Sequence, residues 1–273
     1  MPAHNPQLID AHCHAQAPEL QAHINAWWQR AEEAGVTGFH CCGTEESDWQ
    51  ACMDLRRQKR NLFISLGLHP WFIRNRSPKW LSKLSACLAK TPAGIGEIGL
   101  DHALTDLDPE DQESVFKSQL KLSYELRKPV SIHCRQAWQR LPLILEELGR
   151  HPVGMMIHSY SGPAELVPRL TPLGVYFSFS GSITRSGNKK GRKALCAVPG
   201  DRLLIETDAP DIMPVLPKDR QPWIVQADGK PLSEPAYLPL VLKTVAELRG
   251  TGEMEMAAMI FENTLRLLGG IMS

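Results

Sequence analysis

The sequence predicts an α/β protein, a single (β/α)8 TIM-type barrel with parallel strands and helices at the C-terminal end of the chain. Three observations carry this reading. Eight short, mostly continuous apolar runs recur along the 273 residues, helical stretches alternate with them, and no linker divides the chain. Continuous apolar runs are buried on both faces, as in a parallel sheet. Eight such strand–helix units in one chain of this length close into a barrel, with an open doubly wound sheet as the alternative. Residues 1–273 are accordingly read as one domain.

The first strand is Leu8-Ile9-Asp10-Ala11-His12-Cys13-His14. Pro18 to Ala34 carries Leu20, Ile24, Trp27, Trp28 and Ala31 at helical spacing and closes on Gly35. Val36 to Cys42 is the second strand, followed by a polar helix near Glu45 to Arg60. Leu62 to Gly67 is the third, running into Leu68-His69-Pro70-Trp71, and a helix spans Pro78 to Lys90. Ala93 to Asp101 is the fourth strand, and Pro109 to Arg127 the longest helix. Pro129 to Arg135 is the fifth strand, with Ala137 to Leu148 as its helix. Val153 to Gly162, Val175 to Ser180 and Arg202 to Pro210 are the sixth, seventh and eighth. A proline-rich irregular segment from Asp211 to Pro235 precedes two terminal helices, Ala236 to Arg249 and Glu253 to Leu268.

Composition narrows the function classes. Thirty basic residues balance thirty acidic ones, which argues against a protein that coats nucleic acid by bulk charge. Met1-Pro2-Ala3-His4-Asn5-Pro6 lacks the basic start and apolar core of a signal peptide, and no apolar run reaches the roughly 20 residues of a membrane span. Seven scattered cysteines, an odd number, suit free thiols in a reducing cytosol. A cytoplasmic location is therefore expected, with no membrane association and no obligate protein partner. Cys41-Cys42 is not a CxxC pair and reads as small buried hydrophobes.

Chemistry gathers at the strand ends, where barrel active sites lie. His12 and His14 alternate by two, so both project to one face of the first strand. His69 follows the third strand. Glu97 ends the fourth, His133 the fifth, His158 the sixth, and Glu206 and Asp208 the eighth. Buried ionisable groups are costly without partners, so an imidazole or carboxylate at most strand ends points to metal. Two divalent ions sit roughly 3.5–4 Å apart in many hydrolytic sites and need a bridging carboxylate. Glu97 is placed to bridge. His12, His14 and Asp208, adjacent once the barrel closes, hold one ion, and His133 and His158 the other. Mixed nitrogen and oxygen donors suit zinc, manganese or magnesium.

Ile9-Asp10-Ala11-His12-Cys13-His14, Gly67-Leu68-His69-Pro70, Gly96-Glu97-Ile98-Gly99-Leu100-Asp101, Ile132-His133-Cys134-Arg135, His158-Ser159-Tyr160-Ser161-Gly162 and Glu206-Thr207-Asp208-Ala209-Pro210 resemble the TatD family of metal-dependent deoxyribonucleases. Glu234-Pro235 and Asn263-Thr264-Leu265-Arg266 resemble further signatures of that family, so the likeness spans essentially the whole chain. It implies a TIM-type barrel of the amidohydrolase-like group and a divalent-metal site at His12, His14, Glu97, His133, His158 and Asp208. It also implies deoxyribonuclease activity that removes nucleotides from a DNA 3′ end. Trp71 stands where many members carry histidine or tyrosine, and His102 where an aromatic follows Gly-Leu-Asp. Tyr160 and its neighbours read His-Ser-Tyr-Ser-Gly instead of His-Cys-Phe-Ser-Gly, and Ser233 precedes Glu-Pro where asparagine is frequent. None removes a metal ligand, and all touch the pocket rim.

The expected reaction is attack of a metal-activated water on a phosphodiester, with DNA or an oligonucleotide as substrate. Asp208 takes the proton. Glu206 orients a ligand or forms a buried salt bridge. His69 contacts phosphate, acts as acid, or is structural. Arg135, two positions past a ligand, faces the site and suits bidentate phosphate binding. Arg185, Lys189, Lys190, Arg192 and Lys193 either track a nucleic-acid backbone or form a solvated helix start. Trp71 and Tyr160 stack a base or pack under loops. The competing reaction on the same metal site is hydrolysis of an amide, ester or aminoacyl ester. A binding module that kept the barrel without the chemistry is the third reading.

Overall fold

A computed structural model describes residues 6–271. Residues 1–5, on which much of the signal-peptide expectation rests, lie outside them. Eight strands form one parallel sheet in sequence order: β1 Leu8–Cys13, β2 Val36–Cys42, β3 Leu62–Leu66, β4 Gly94–Asp101, β5 Val130–Arg135, β6 Met155–Ile157, β7 Val175–Phe179 and β8 Leu203–Ile205. Every residue of β1, β3, β4, β6, β7 and β8 is buried, as a sheet covered on both faces requires. The helices between and after them are α1 Ile24–Glu33, α2 Trp49–Gln58, α3 Trp80–Lys90, α4 Pro109–Leu126, α5 Leu141–Leu148, α6 Val167–Leu170, α7 Lys189–Ala197, α8 Leu238–Arg249 and α9 Glu253–Leu268.

β8 and β1 close the barrel through backbone bonds just past their ends. The Asp208 N–H donates to the His12 carbonyl at 3.0 Å and the His14 N–H to the Ala209 carbonyl at 2.7 Å. Asp10 ties the same seam. Its buried carboxylate accepts from the Thr207 N–H at 2.9 Å and from the Thr207 hydroxyl. Burial nevertheless pushes the Asp10 carboxyl up to about 7, against those hydrogen bonds.

Several elements are shorter than the sequence suggests. Pro18–His23 is a 3-10 turn with Pro18 at its start, and only Ile24 onward is α-helical. Residues 137–140 stay outside α5, which begins beside Pro142. β6 and β8 hold three residues each, because the chain turns where Ser159 (φ 41°) and Asp208 (φ 55°) adopt left-handed backbone. Between β6 and β7 the cover is only α6 flanked by 3-10 turns.

Two apolar layers hold the barrel. One lies between strands and helices and includes Trp27, Phe39, Phe116, Leu120 and Val241. The other joins Ile9, Phe63, Met156, Tyr176 and Leu204 of the strands to Leu267, Leu268 and Ile271, covering the end near the strand starts. The irregular 211–235 segment is pinned to α1 by Arg30, whose guanidinium donates twice to Glu234 at 2.7 and 2.8 Å.

Candidate metal centre

Glu97 lies in the middle of β4, not at its end as the sequence suggests. The β4–β5 register shifts between Ile95 and Ile98, and Gly67 and Gly99 let neighbouring backbone come close. A Cβ on Gly67 would stand 2.8 Å from the Glu97 carbonyl oxygen, and one on Gly99 would run into the His133 carbonyl. Glu97 is thereby set inside the barrel mouth, 2% exposed, among five imidazoles.

Its two oxygens face different ways. Oε2 lies 3.3 Å from Nε2 of His12 and 3.3 Å from Nε2 of His14. Oε1 lies 2.8 Å from Nε2 of His158, 3.0 Å from Nδ1 of His133 and 3.3 Å from Nε2 of His69. Asp208 Oδ1 stands 3.7 Å from His12 Nε2 and 3.6 Å from His14 Nε2. Its left-handed backbone, a conformation that costs of order 1–3 kcal/mol, turns this carboxylate inward.

Three candidate imidazoles are hydrogen-bonded through their second nitrogen, and the fourth has a carboxylate beside it, the arrangement metal-binding histidines use. His12 Nδ1 meets the Ser131 hydroxyl at 2.9 Å, and His14 Nδ1 donates to the Cys42 carbonyl at 2.8 Å. His133 Nε2 donates to Asp101 Oδ2 at 3.1 Å. His158 Nδ1 lies 3.4 Å from Glu206 Oε1, which also accepts from the Ser159 N–H at 2.6 Å. The nitrogens left over point at one another. His12 Nε2 and His14 Nε2 are 3.3 Å apart, and His133 Nδ1 and His158 Nε2 are 3.2 Å apart. Lone pairs at that separation call for a proton or a cation between them, so the donor set fits metal. Three groups of ligand atoms fall within 4.8 Å: His12, His14 and Glu97; His12, His158 and Asp208; and His69, Glu97 and His133.

The electrostatics agree. Burial raises the Glu97 carboxyl, but His158, His69 and His12 together hold it well below the usual range. Burial likewise opposes Asp208, and His14, His158 and His12 outweigh it downward. Burial lowers His14 and His158, yet Asp208 and Glu97 lift the first, and Glu97 and Glu206 the second, well above the ordinary value. His12 falls to about 3, first through burial and then through His158. Glu206 is pushed up by burial.

His69 differs from the others. Its Nδ1 accepts the Trp71 N–H at 3.2 Å, so its proton sits on Nε2 and donates to Glu97. Burial drops it to about 4, which makes it a neutral donor at physiological pH.

A cavity of about 500 Å³ opens over these groups, with His14, His69, Glu97, His133, His158 and Asp208 in its floor. Trp71 stands at the mouth, 49% exposed, its indole N–H donating to Asp101 Oδ2 at 2.7 Å. Asp101 thus receives both Trp71 and His133. Nothing local in the sequence marks Asp101 for this role, which follows from the pairing of β4 and β5 that sets it opposite Arg135.

Three residues expected to contact substrate do not line this cavity. Tyr160 is 3% exposed, packs on Trp138 and Phe177, and donates its hydroxyl to the Pro163 carbonyl at 2.8 Å. It belongs to the core and offers no face to a base. Arg135 does not line the cavity. Its side chain is 53% exposed and reaches Asp101 Oδ2 at 3.9 Å. Arg185 lies outside the cavity too, donating to the Met213 carbonyl at 3.2 Å. Of the neighbouring basic cluster, Lys193 pairs with Glu165 and Arg192 donates to the Ile183 and Thr184 carbonyls.

All seven cysteines are free thiols, and Cys41 and Cys42 are fully buried. Among the described residues no helix is long and apolar enough to cross a membrane.

Comparison with known proteins extends this. A family model described as TatD related DNase matches residues 9–269. The chain is 33% identical over 251 residues to the 3′-5′ ssDNA/RNA exonuclease TatD of Shigella flexneri, covering 88% of this chain and 90% of that one. It is 31% identical over 264 residues to the uncharacterized metal-dependent hydrolase YabD of Bacillus subtilis, covering 95% and 98%. The crystal structure of YjjV, a TatD homolog from Escherichia coli, superposes with a TM-score of 0.86 at 30% identity, covering 95% of this chain and 97% of that one.

Proposed function

The chain belongs to the TatD-related DNase family of metal-dependent hydrolases, and from that premise we propose that it is a 3′–5′ deoxyribonuclease working with two divalent ions. The observation that carries the reading is the division of Glu97, whose Oε2 faces His12 and His14 while Oε1 faces His133 and His158. His12, His14, Asp208 and Glu97 Oε2 would hold one ion, and His133, His158 and Glu97 Oε1 the other, with zinc, manganese and magnesium all compatible. Such ions lower the pKa of water toward neutrality and stabilise charge on phosphoryl oxygens.

The chain's own groups supply the rest. Burial opposes ionisation of Asp208 but His14, His158 and His12 hold its carboxyl below the usual range, so its carboxylate would accept the proton of the attacking water. Glu206 holds His158 and the Ser159 backbone, and Asp101 holds His133. His69 keeps its proton on Nε2 and steadies Glu97 Oε1. Trp71 offers the terminal base a stacking face, and the exposed guanidinium groups of Arg135 and Arg185 meet phosphates of the departing strand. A single barrel domain and a cytoplasmic location complete the proposal.

One feature favours a second reading. Glu19, Glu45, Asp48 and Asp211 line the cavity, and among the described residues no lysine or arginine does, so an amide or aminoacyl ester carrying an ammonium group also suits it.

A metal-reconstituted substrate panel decides between them. Single-stranded DNA with a free 3′ end should release mononucleotides stepwise from that end, and a blocked 3′ end should stop release. Hydrolysis of aminoacyl esters with no cleavage of any oligonucleotide would overturn the nuclease reading.

A further inference from the structure

The end of the barrel opposite the metal centre carries a second cavity of about 260 Å³, lined by Arg150, His151, Val153, Tyr176, Arg202 and Arg266 among others. Arg150 precedes β6, Arg202 precedes β8 and Arg266 lies in the last turn of α9, so three arginines from separate elements line one cavity where the strands begin. Their countercharge is small. Among the described residues one carboxylate, the largely exposed Asp201, pairs with any of them, at 3.8 Å from Arg202. Arg266 donates to Asn263 Oδ1 at 3.1 Å and to the Asp201 carbonyl at 3.4 Å, both neutral acceptors. Arg150 has no hydrogen bond or ion pair within the described residues. Arg202 is fixed in place, its guanidinium 4.9 Å over the Tyr176 ring and its side chain only 18% exposed. Its Nε is buried and has no acceptor among the described residues. His151 adds no negative charge, since its Nδ1 accepts the Gly154 N–H at 2.9 Å and its Nε2 meets the Ser123 hydroxyl at 3.1 Å.

The largely buried Arg202, with an unused Nε donor, is costly unless an acceptor joins it, and the two exposed arginines beside it favour an anionic one. We propose that this cavity binds a phosphomonoester dianion, such as the 5′-phosphate of a mononucleotide, at a site separate from the catalytic mouth. Guanidinium forks match phosphate oxygens bidentately. The cavity is larger than a bare phosphate needs and approaches the roughly 300 Å³ at which small-molecule pockets begin, which leaves room for part of a sugar. The site uses no residue of the metal centre and does not depend on the proposed nuclease activity.

Calorimetric titration of the metal-loaded full chain with inorganic phosphate, and separately with dAMP, tests this. Wild type, Arg202→Gln and the double variant Arg150→Gln/Arg266→Gln are compared. Both probes should bind wild type saturably, dAMP more tightly. Both variants should lose about tenfold or more in affinity for this event, with hydrolytic turnover within about twofold of wild type. The double variant changes exposed side chains only, so it stays informative if Arg202→Gln unfolds through loss of its Tyr176 contact. Undiminished binding in a folded double variant, or no saturable binding by wild type, would overturn the site. Equal affinity for the two probes would overturn the phosphomonoester assignment in favour of a bare oxyanion.

Discussion

Replacing Glu97 with glutamine keeps the side chain's volume and removes its charge, and the geometry sets the size of the effect. One carboxylate oxygen serves His12 and His14, and the other serves His133 and His158. Each ion therefore loses an anionic ligand atom. Loss of an outer-shell partner alone costs about 10–100-fold in metal affinity, so a direct ligand costs at least that much at each end. For the doubly loaded form the product is about 10²–10⁴-fold, or roughly 3–5 kcal/mol. The assay is metal titration with manganese or zinc alongside kcat/KM on a 3′-ended oligonucleotide. Melting in chelator checks separately that the fold survives. Glu97→Gln should bind both ions far more weakly, and activity should fall in parallel with every metal. A folded variant that binds two ions with wild-type affinity and turns over near the wild-type rate would refute the shared-carboxylate argument.

Trp71→Phe keeps an aromatic face and removes the N–H that Asp101 accepts. It should weaken metal at the His133 end by about tenfold while leaving KM for oligonucleotide nearly unchanged, whereas Trp71→Ala should raise KM as well. Equal KM for the two variants would contradict a stacking role. Tyr160→Phe should cost about 1 kcal/mol of stability through the lost bond to Pro163 and leave kcat/KM unchanged, so a rise in KM would return Tyr160 to the substrate site. His151 is 2% exposed and its pKa is lowered by burial from 6.5 to about 4. The folded state thus disfavours its protonation, and this contribution is full above pH 6.5 and lost as pH falls toward 4. The loss is about 3 kcal/mol at most. Urea unfolding of the chelated protein should show His151→Gln with a flatter pH dependence across that window, and identical slopes would count against it.

The barrel was legible because its strands are buried on both faces and so spell continuous apolar runs. The trimming of β6 and β8 was not, since nothing local in Ile157-His158-Ser159 or Thr207-Asp208 announces left-handed backbone at Ser159 and Asp208. The six candidate ligands were legible for a related reason. Ionisable residues inside apolar runs call for a shared partner, and the structure sets four imidazoles directly around Glu97, with Asp208 beside two of them. The residues that aim them were hidden. Asp101 and the Cys42 carbonyl act from a neighbouring strand and Ser131 from across the barrel, and neither register nor closure is written in any one segment. Tyr160 stays open between stacking and packing in the sequence because a loop aromatic has no periodicity to say whether it faces inward. Arg135 was placed by alternation along β5, but its long side chain leaves the strand and ends beside Asp101 in solvent.

The central claim is that two cations flank Glu97. Anomalous diffraction from crystals of the manganese-loaded or zinc-loaded protein tests it directly. Two peaks are expected roughly 3.5–4 Å apart, one against Glu97 Oε2 with His12, His14 and Asp208, the other against Oε1 with His133 and His158. A single peak at full metal occupancy, or peaks that leave Glu97 uncoordinated, would contradict it.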